Sequence, residues 1–161
     1  MVRLVDGKRR GGLADTLPAM ATVFTMIING EIPGTFVWRD DRCVAFMSIN
    51  PLAPGHTLVV PIDEVDHWLD APADLQQHLF DVSRQIAEAQ QVAFQPERVG
   101  LMIAGFEVPH LHVHVIPTRD MEDMDFANAA ASVDPAELAA AADAIRDQLR
   151  AAGATGVAEE R

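Results

Sequence analysis

The chain has 161 residues, 49% hydrophobic content and a formal net charge of −12. This is enough apolar material for one domain with its own core, and the acidic balance argues against binding to nucleic acid or an anionic membrane surface. A lone cysteine, Cys43, and the lack of a run of about 20 apolar residues argue against an internal disulfide and a membrane-spanning helix, which favours the cytoplasm.

Residues 1–19 are interpreted as a flexible extension. The basic run at residues 8–10 before an apolar stretch imitates a secretory signal. However, Asp15 lies between the basic run and the apolar stretch, and the apolar stretch continues into the Asn29-Gly30 turn. We therefore reject a signal and expect an extension over 1–19, a folded domain over 20–120, and an acidic loop, C-terminal helix and tail over 121–161.

Hydrophobic periodicity and turn residues predict the elements in chain order. Apolar residues at steps of three and four from Leu75 to Ala89 predict a long helix, and Asp134 followed by Pro135 is typical of a helix start. The predicted helices span residues 23–28, 72–94 and 134–152. The predicted strands span residues 35–39, 43–48, 56–61, 99–103 and 111–116. Strands around one long helix favour an α+β domain. We expect an antiparallel sheet of about five strands with that helix and an additional C-terminal helix.

Three of the six histidines stand at every second position of the run His-Leu-His-Val-His-Val-Ile-Pro, residues 110–117. Because side chains alternate between the faces of a strand, His110, His112 and His114 should share one face while the apolar residues between them face the core. A neutral imidazole is both a nucleophile and a proton carrier near neutral pH. Attack on phosphorus, with neighbouring histidines contacting phosphate oxygens, is the chemistry that this pattern favours.

The loop before the histidine run supplies further candidate phosphate contacts. Its backbone N–H groups lead into the same strand and could help to hold a phosphate. They belong to Gly105, Phe106, Glu107 and Val108. Glu107 is equally compatible with a role beside the phosphate or leaving group and with an ordinary polar position at a sheet edge.

The histidine run resembles the His-φ-His-φ-His-φ-φ signature of the histidine-triad (HIT) family of nucleotide hydrolases and transferases, where φ is apolar. Two further segments are similar to that family: an opening segment over 24–33, which ends in Asn29-Gly30-Glu31-Ile32-Pro33, and the middle strands over 41–61. The resemblance covers roughly residues 21–118 in the family's order. It implies the HIT-like fold for the folded domain.

By this resemblance His112 is the nucleophile that forms a nucleotidyl-histidine, and His110 orients it. His114 would contact the phosphate, and His56 would complete the group from a neighbouring strand. The resemblance also implies a nucleoside pocket made of Val23, Phe24, Ile27, Phe46, Met47, Ser48 and Ile49, in which Met47 serves packing more than recognition. It further implies a homodimer with joined sheets. The implied activity is hydrolysis of a nucleoside phosphoramidate, or a related nucleotide, at the α-phosphate without a metal or other cofactor.

Three features depart from the family pattern. Ser48 stands where relatives usually carry an Asp that accepts both ribose hydroxyls, so a weaker neutral group replaces a charged acceptor. Phe106 stands where many relatives carry Gln, which changes the contacts expected to the phosphate. Thr25 and Ile28 stand where some bacterial relatives carry zinc-binding cysteines, so we expect no structural zinc.

Other functions are also compatible with the sequence. The pattern does not separate phosphoramidases from dinucleoside polyphosphate hydrolases, and the changes at Ser48 and Phe106 are compatible with a non-catalytic nucleotide-binding or protein-interaction module. A histidine-rich metal site is a further alternative, although structural zinc usually takes four ligands and the chain has no cysteine pair. His67 and His78 are predicted to face solvent.

Overall fold

The computed structural model describes residues 21–159, which form three α-helices and five strands. The helices are α1 (Val23–Ile28), α2 (Ala73–Phe94) and α3 (Pro135–Ala151), and the strands are β1 (Phe36–Arg39), β2 (Cys43–Met47), β3 (Thr57–Pro61), β4 (Arg98–Met102) and β5 (Val113–Thr118). All neighbouring strands are antiparallel, in the order β1-β2-β3-β5-β4. The predicted α+β class is confirmed. The predicted extension 1–19 lies outside the described residues.

The histidine strand begins two residues later than the sequence predicts, at Val113. Its ladder with β3 ends at the pair Val59–Val113. Continuing the ladder would bring in Pro61, which has no backbone N–H to donate. The Pro61 carbonyl instead accepts from Nε2 of His110 at 2.8 Å. His110 and His112 therefore precede the regular strand, and side-chain hydrogen bonds help to place them.

Helices α2 and α3 cover one face of the sheet. Residues of α2 at helical spacing, such as Ile86, are buried against the strands because this spacing places them on one side of the helix. α3 starts at Asp134, whose side chain accepts from the Ala136 N–H at 2.8 Å. The same core contains Leu111, Val113 and Val115. The predicted separation of the histidine run into an apolar side and a histidine side is therefore confirmed.

A buried glutamine on α2 connects β5, which carries His114, with the residues beside His56 that lead into β3. Gln90 is fully buried, and its Nε2 donates to the carbonyl oxygens of Gly55 and Val115 at 2.9 and 3.1 Å. Each of these carbonyls belongs to a residue next to one of the two histidines. Gln90 thus fixes the spacing of the two strands from the far side of the sheet.

The acidic segment after β5 forms two short 3-10 helices, Met121–Met124 and Phe126–Asn128, where the sequence predicts a solvated loop. Asp120 and Asp125 precede them, and each carboxylate accepts from the backbone N–H two residues later, a turn that aspartate favours. The C-terminal tail returns to pair with β1. Across residues 21–159, no helix is long and apolar enough to span a membrane.

Candidate active site

Four of the predicted histidines come together on the sheet face opposite α2. The exposed fraction of the residue is 2% for His56, 0% for His110 and 7% for both His112 and His114. The ring centroid of His114 lies 4.8 Å from that of His112 and 5.2 Å from that of His56. Burial disfavours a charged imidazole, so the hydrogen-bond partners of each ring decide what it can do.

His112 presents one unoccupied ring nitrogen. Its Nδ1 lies 2.7 Å from the backbone oxygen of His110, and a carbonyl only accepts, so Nδ1 carries the proton. Nε2 then holds a lone pair and has no hydrogen-bond partner among residues 21–159. Burial lowers the pKa of His112, which keeps the ring neutral at pH 7. A neutral ring with an available lone pair is the form that a nucleophile requires.

His56 and His114 form a hydrogen-bond relay with a fixed direction. The Leu52 N–H donates to Nδ1 of His56 at 3.1 Å, so Nε2 of His56 carries a proton and donates to Nδ1 of His114 at 2.9 Å. His114 therefore keeps its own proton on Nε2. Burial, together with the nearby His112, lowers the pKa of His56 to about 4 and that of His114 to about 3. The neutral pair supplies a donor beside His112.

His110 is held by residues that the sequence interpretation did not include. Its Nε2 donates to the Pro61 carbonyl, so its Nδ1 accepts from the Thr22 hydroxyl at 2.8 Å. The Thr22 N–H and the Thr25 hydroxyl both donate to Glu64, at 2.7 and 2.6 Å, and these bonds lower the pKa of Glu64. In the sequence, Thr22 is the residue that could have indicated part of this arrangement, because threonine is favoured at helix starts and Thr22 caps α1.

The expectation of no zinc rested on Thr25 and Ile28. Ile28 packs against the apolar cluster that contains Phe24 and Phe46, and its side chain has no atom that can bind a metal. Among the four histidines, six of the eight ring nitrogens already have hydrogen-bond partners. This pairing disfavours the alternative of a histidine-rich metal site, which needs several imidazole lone pairs aimed at one point.

Asp40, Cys43 and His78 form a separate polar cluster with ligand atoms within 4.8 Å of one another. Oδ2 of Asp40 accepts from Nε2 of His78 at 2.9 Å and from Nε1 of Trp38 at 2.7 Å. Burial and the charge of Asp40 raise the pKa of the Cys43 thiol. A protonated thiol and an occupied carboxylate favour a hydrogen-bonded cluster over a metal centre. His78 is half-buried, so its predicted exposure is wrong, whereas His67 is exposed as predicted.

Part of the expected nucleoside pocket lies directly against His112. The ring centroid of Phe24 is 5.0 Å from that of His112 and 5.5 Å from that of Phe46, and Ile27 packs on the same cluster. Met47 is not brought there, because alternation along β2 turns it to the helix-covered face, where it is buried in the core. Its assignment to the pocket is therefore wrong, while its packing role is confirmed.

The other expected pocket residues adjoin this cluster in sequence and are accessible to solvent. The exposed fraction is 41% for Val23 and 69% for Ile49. Ser48 is half-buried, and its backbone N–H donates to the His56 carbonyl at 3.0 Å. Accessible side chains at the margin of an apolar cluster suit a ligand that is partly enclosed.

The structure brings only part of the loop 104–108 to the site. Val108 packs against the apolar cluster beside the histidines, and Gly105 has a φ of +75°, a conformation that favours glycine. Phe106 is 96% exposed and Glu107 is exposed. The charge of Glu107 acts in the direction of raising the pKa of His112, against the stronger effect of burial.

Phe126 of the acidic segment reaches the site, which the sequence did not predict. Its ring centroid lies 5.1 Å from that of His114, with the two planes at 67°. The side chain is 44% exposed. No periodic pattern marks this residue, because the contact depends on the turns that fold the segment back onto β5.

Comparison with known proteins adds independent findings. A family model described as HIT domain matches residues 29–121. The purine nucleoside phosphoramidase of Escherichia coli K12 is 34% identical over 112 residues, which are 66% of this chain and 94% of that protein. A solved structure of a Hit-like protein involved in cell-cycle regulation from Bartonella henselae has a TM-score of 0.71 at 32% identity, covering 80% of this chain and 96% of that one. A hypothetical histidine triad nucleotide-binding protein from Sulfolobus tokodaii has a TM-score of 0.68 at 26% identity, covering 80% and 91%.

Proposed function

The chain belongs to the HIT family, and on that basis we propose that it hydrolyses a nucleoside phosphoramidate, or a related nucleotide, at the α-phosphate through a covalent intermediate on His112. The observation that carries the proposal is the neutral His112 ring with its unoccupied Nε2. Similarity to a purine nucleoside phosphoramidase supports the substrate class. The proposal includes a cytoplasmic location and a small-molecule nucleotide ligand.

In this mechanism Nε2 of His112 attacks phosphorus, and a P–N bond forms as the bond to the leaving amine breaks. The amine takes a proton from solvent. Nδ1–H of His112 donates to the His110 carbonyl and stabilises the charge that develops on the ring, while Nε2–H of His114 donates to a phosphate oxygen. Water then attacks phosphorus, the P–N bond breaks, one proton is released, and the nucleoside monophosphate leaves with His112 neutral again.

Steady-state turnover tests this proposal. The protein should convert adenosine 5′-phosphoramidate to AMP and ammonia in the presence of a chelator, and His112→Asn should not. His67→Asn, which alters an exposed histidine, is the matched control and should keep the parent kcat. AMP release by His112→Asn at the parent rate would overturn the covalent mechanism.

The same assay distinguishes the other candidate functions. Faster cleavage of a diadenosine polyphosphate than of the phosphoramidate would assign the protein to that hydrolase branch. Binding of AMP without turnover of either substrate would assign a nucleotide-binding module. Phe106 bears on this last outcome, because its side chain is exposed and has no polar group that could contact a phosphate.

We further propose a homodimer joined along β4. This strand lies at the edge of the sheet, and an unpaired edge is a template for a second strand. Leu101 of β4 and Ile103, which directly follows it, are 40% and 45% exposed, and both line an apolar cavity of about 700 Å³ together with Trp68 and Phe80. Sedimentation velocity should give twice the 17.5 kDa chain mass, and Leu101→Lys should give the monomer. A monomeric parent would contradict this proposal.

A further inference from the structure

Four rings form a continuous row across the site. Phe24 lies 5.0 Å from His112, His112 lies 4.8 Å from His114, and His114 lies 5.1 Å from Phe126, measured between ring centroids. With the phosphate at the histidines, the expected nucleoside pocket places the nucleoside against the margin of the apolar cluster at the Phe24 end. The Phe126 end is then the side of the phosphate that faces away from the nucleoside.

Phe126 is held in place by the segment that carries it, which we call the strap (residues 120–128). Met124 of the strap lies so close to Gly100 of β4 that an added Cβ there would be 2.5 Å from the Met124 sulfur. Asn50 fixes the chain that follows the strap, since its side-chain amide donates to the backbone oxygens of Ala130 and Ala131 at 3.1 and 2.8 Å. These contacts anchor the strap on both sides of Phe126.

The strap gives this end of the site a distinct chemistry. Phe126 presents an aromatic ring, and the residue is 44% exposed. The same segment carries four carboxylates, on Asp120, Glu122, Asp123 and Asp125. An apolar ring attracts apolar or aromatic groups, whereas neighbouring carboxylates repel an anionic group within about one Debye length.

We propose that Phe126 is a specificity-determining residue for the leaving group, and that the strap selects amines with an aromatic or aliphatic substituent over phosphate-containing leaving groups. The inference rests on the proposed function, and it narrows that function to substituted phosphoramidates. Phe126 lies outside residues 29–121 that match the family model, so the match to that model does not itself assign this selectivity.

The test compares kcat/KM for three substrates that share the adenylyl group: the unsubstituted adenosine 5′-phosphoramidate, its derivative with an aromatic amine, and diadenosine tetraphosphate. The parent should prefer the aromatic amide to diadenosine tetraphosphate by at least about tenfold. Phe126→Ala should lower kcat/KM for the aromatic amide about tenfold while changing the unsubstituted amide less than about threefold. The kcat/KM of Phe126→Leu for the aromatic amide should lie between those of the parent and Phe126→Ala. Val92→Ala, at an exposed apolar position on α2, should leave kcat/KM for both amides unchanged.

Two results would overturn the inference. An equal loss on both amides in Phe126→Ala would show that the ring only supports His114. Unchanged kinetics on both amides, or a parent that prefers diadenosine tetraphosphate, would show that the strap does not select the leaving group. Failure of the proposed function itself is recognised separately, because the parent would then not release AMP from the unsubstituted amide.

Discussion

On the helix-covered face of the sheet, Val113 and Val115 are buried by apolar contact with α2, whereas on the opposite face His110 and His114 are buried against polar partners. Val113 needs only a neighbour of suitable shape. His114 needs a donor on His56, which is itself directed by the Leu52 N–H. Apolar packing tolerates volume-conserving exchange, but a directed relay does not. The first face should therefore govern stability and the second should govern chemistry.

The largest difference between an effect on turnover and an effect on stability is expected for a substitution of His112. His112→Asn should lower turnover by about a thousandfold or more, because no other ring among the four clustered histidines offers an unoccupied lone pair. The midpoint of thermal unfolding should move by less than about 3 °C, since the change removes little apolar surface. Turnover and differential scanning calorimetry on the same preparation give both values. A large loss of stability would show that the histidine face also supports the fold.

Ile86→Ala makes the opposite change on the helix-covered face. Ile86 is fully buried in the core, and removing its side chain should lower the free energy of unfolding by about 2–5 kcal/mol. Urea denaturation measures this loss. Below the unfolding transition, kcat should stay within about twofold of the parent. A tenfold loss of kcat in the folded variant would contradict the division between the faces.

Acid should destabilise the fold through the buried histidines. His56 and His114 have folded pKa values of about 4 and 3, below the ordinary 6.5. Between about pH 6.5 and 4 the unfolded chain therefore binds more protons, so the free energy of unfolding falls as pH falls, by about 1.4 kcal/mol per pH unit for each histidine. Urea denaturation across this range should give a shallower slope for His114→Asn than for the parent. Equal slopes in His114→Asn and the parent would show that His114 does not cause this pH dependence.

A smaller effect is expected from the group that holds His110. Thr22→Val keeps the shape of the side chain but removes the hydroxyl that donates to Nδ1 of His110. Loss of one hydrogen bond of about 1 kcal/mol should lower kcat about fivefold with little change in KM. Thr22→Ser should restore kcat, and Thr25→Val should have a weaker effect because it leaves the Thr22–His110 bond in place. Equal kcat in Thr22→Val and the parent would refute this role.

The smallest change tests the ribose contact. Ser48→Asp should tighten binding of AMP about fivefold if a charged acceptor improves recognition of the ribose hydroxyls. Isothermal titration with AMP and with 2′,3′-dideoxy-AMP measures the effect, and only AMP should gain. Unchanged affinity for AMP would show that Ser48 does not limit ribose binding.

The helix-covered face was predictable because its signals are local. The steps of three and four along α2 and the alternation along β5 identify buried residues without knowledge of their partners. The histidine face was only partly predictable, because Thr22 meets His110 across 88 positions and His56 meets His114 across 58. The start of β5 was misplaced for a related reason, since Pro61 limits the ladder from the neighbouring strand.

Detection of the covalent intermediate tests the central claim most directly. Protein taken during turnover of adenosine 5′-phosphoramidate, quenched in alkali to preserve phosphorus–nitrogen bonds, should gain the mass of one adenylyl group, and peptide mapping should place it on His112. His112→Asn should show no such gain. Turnover without an adduct on His112, or an adduct on another residue of the parent, would contradict the assignment of His112 as the nucleophile.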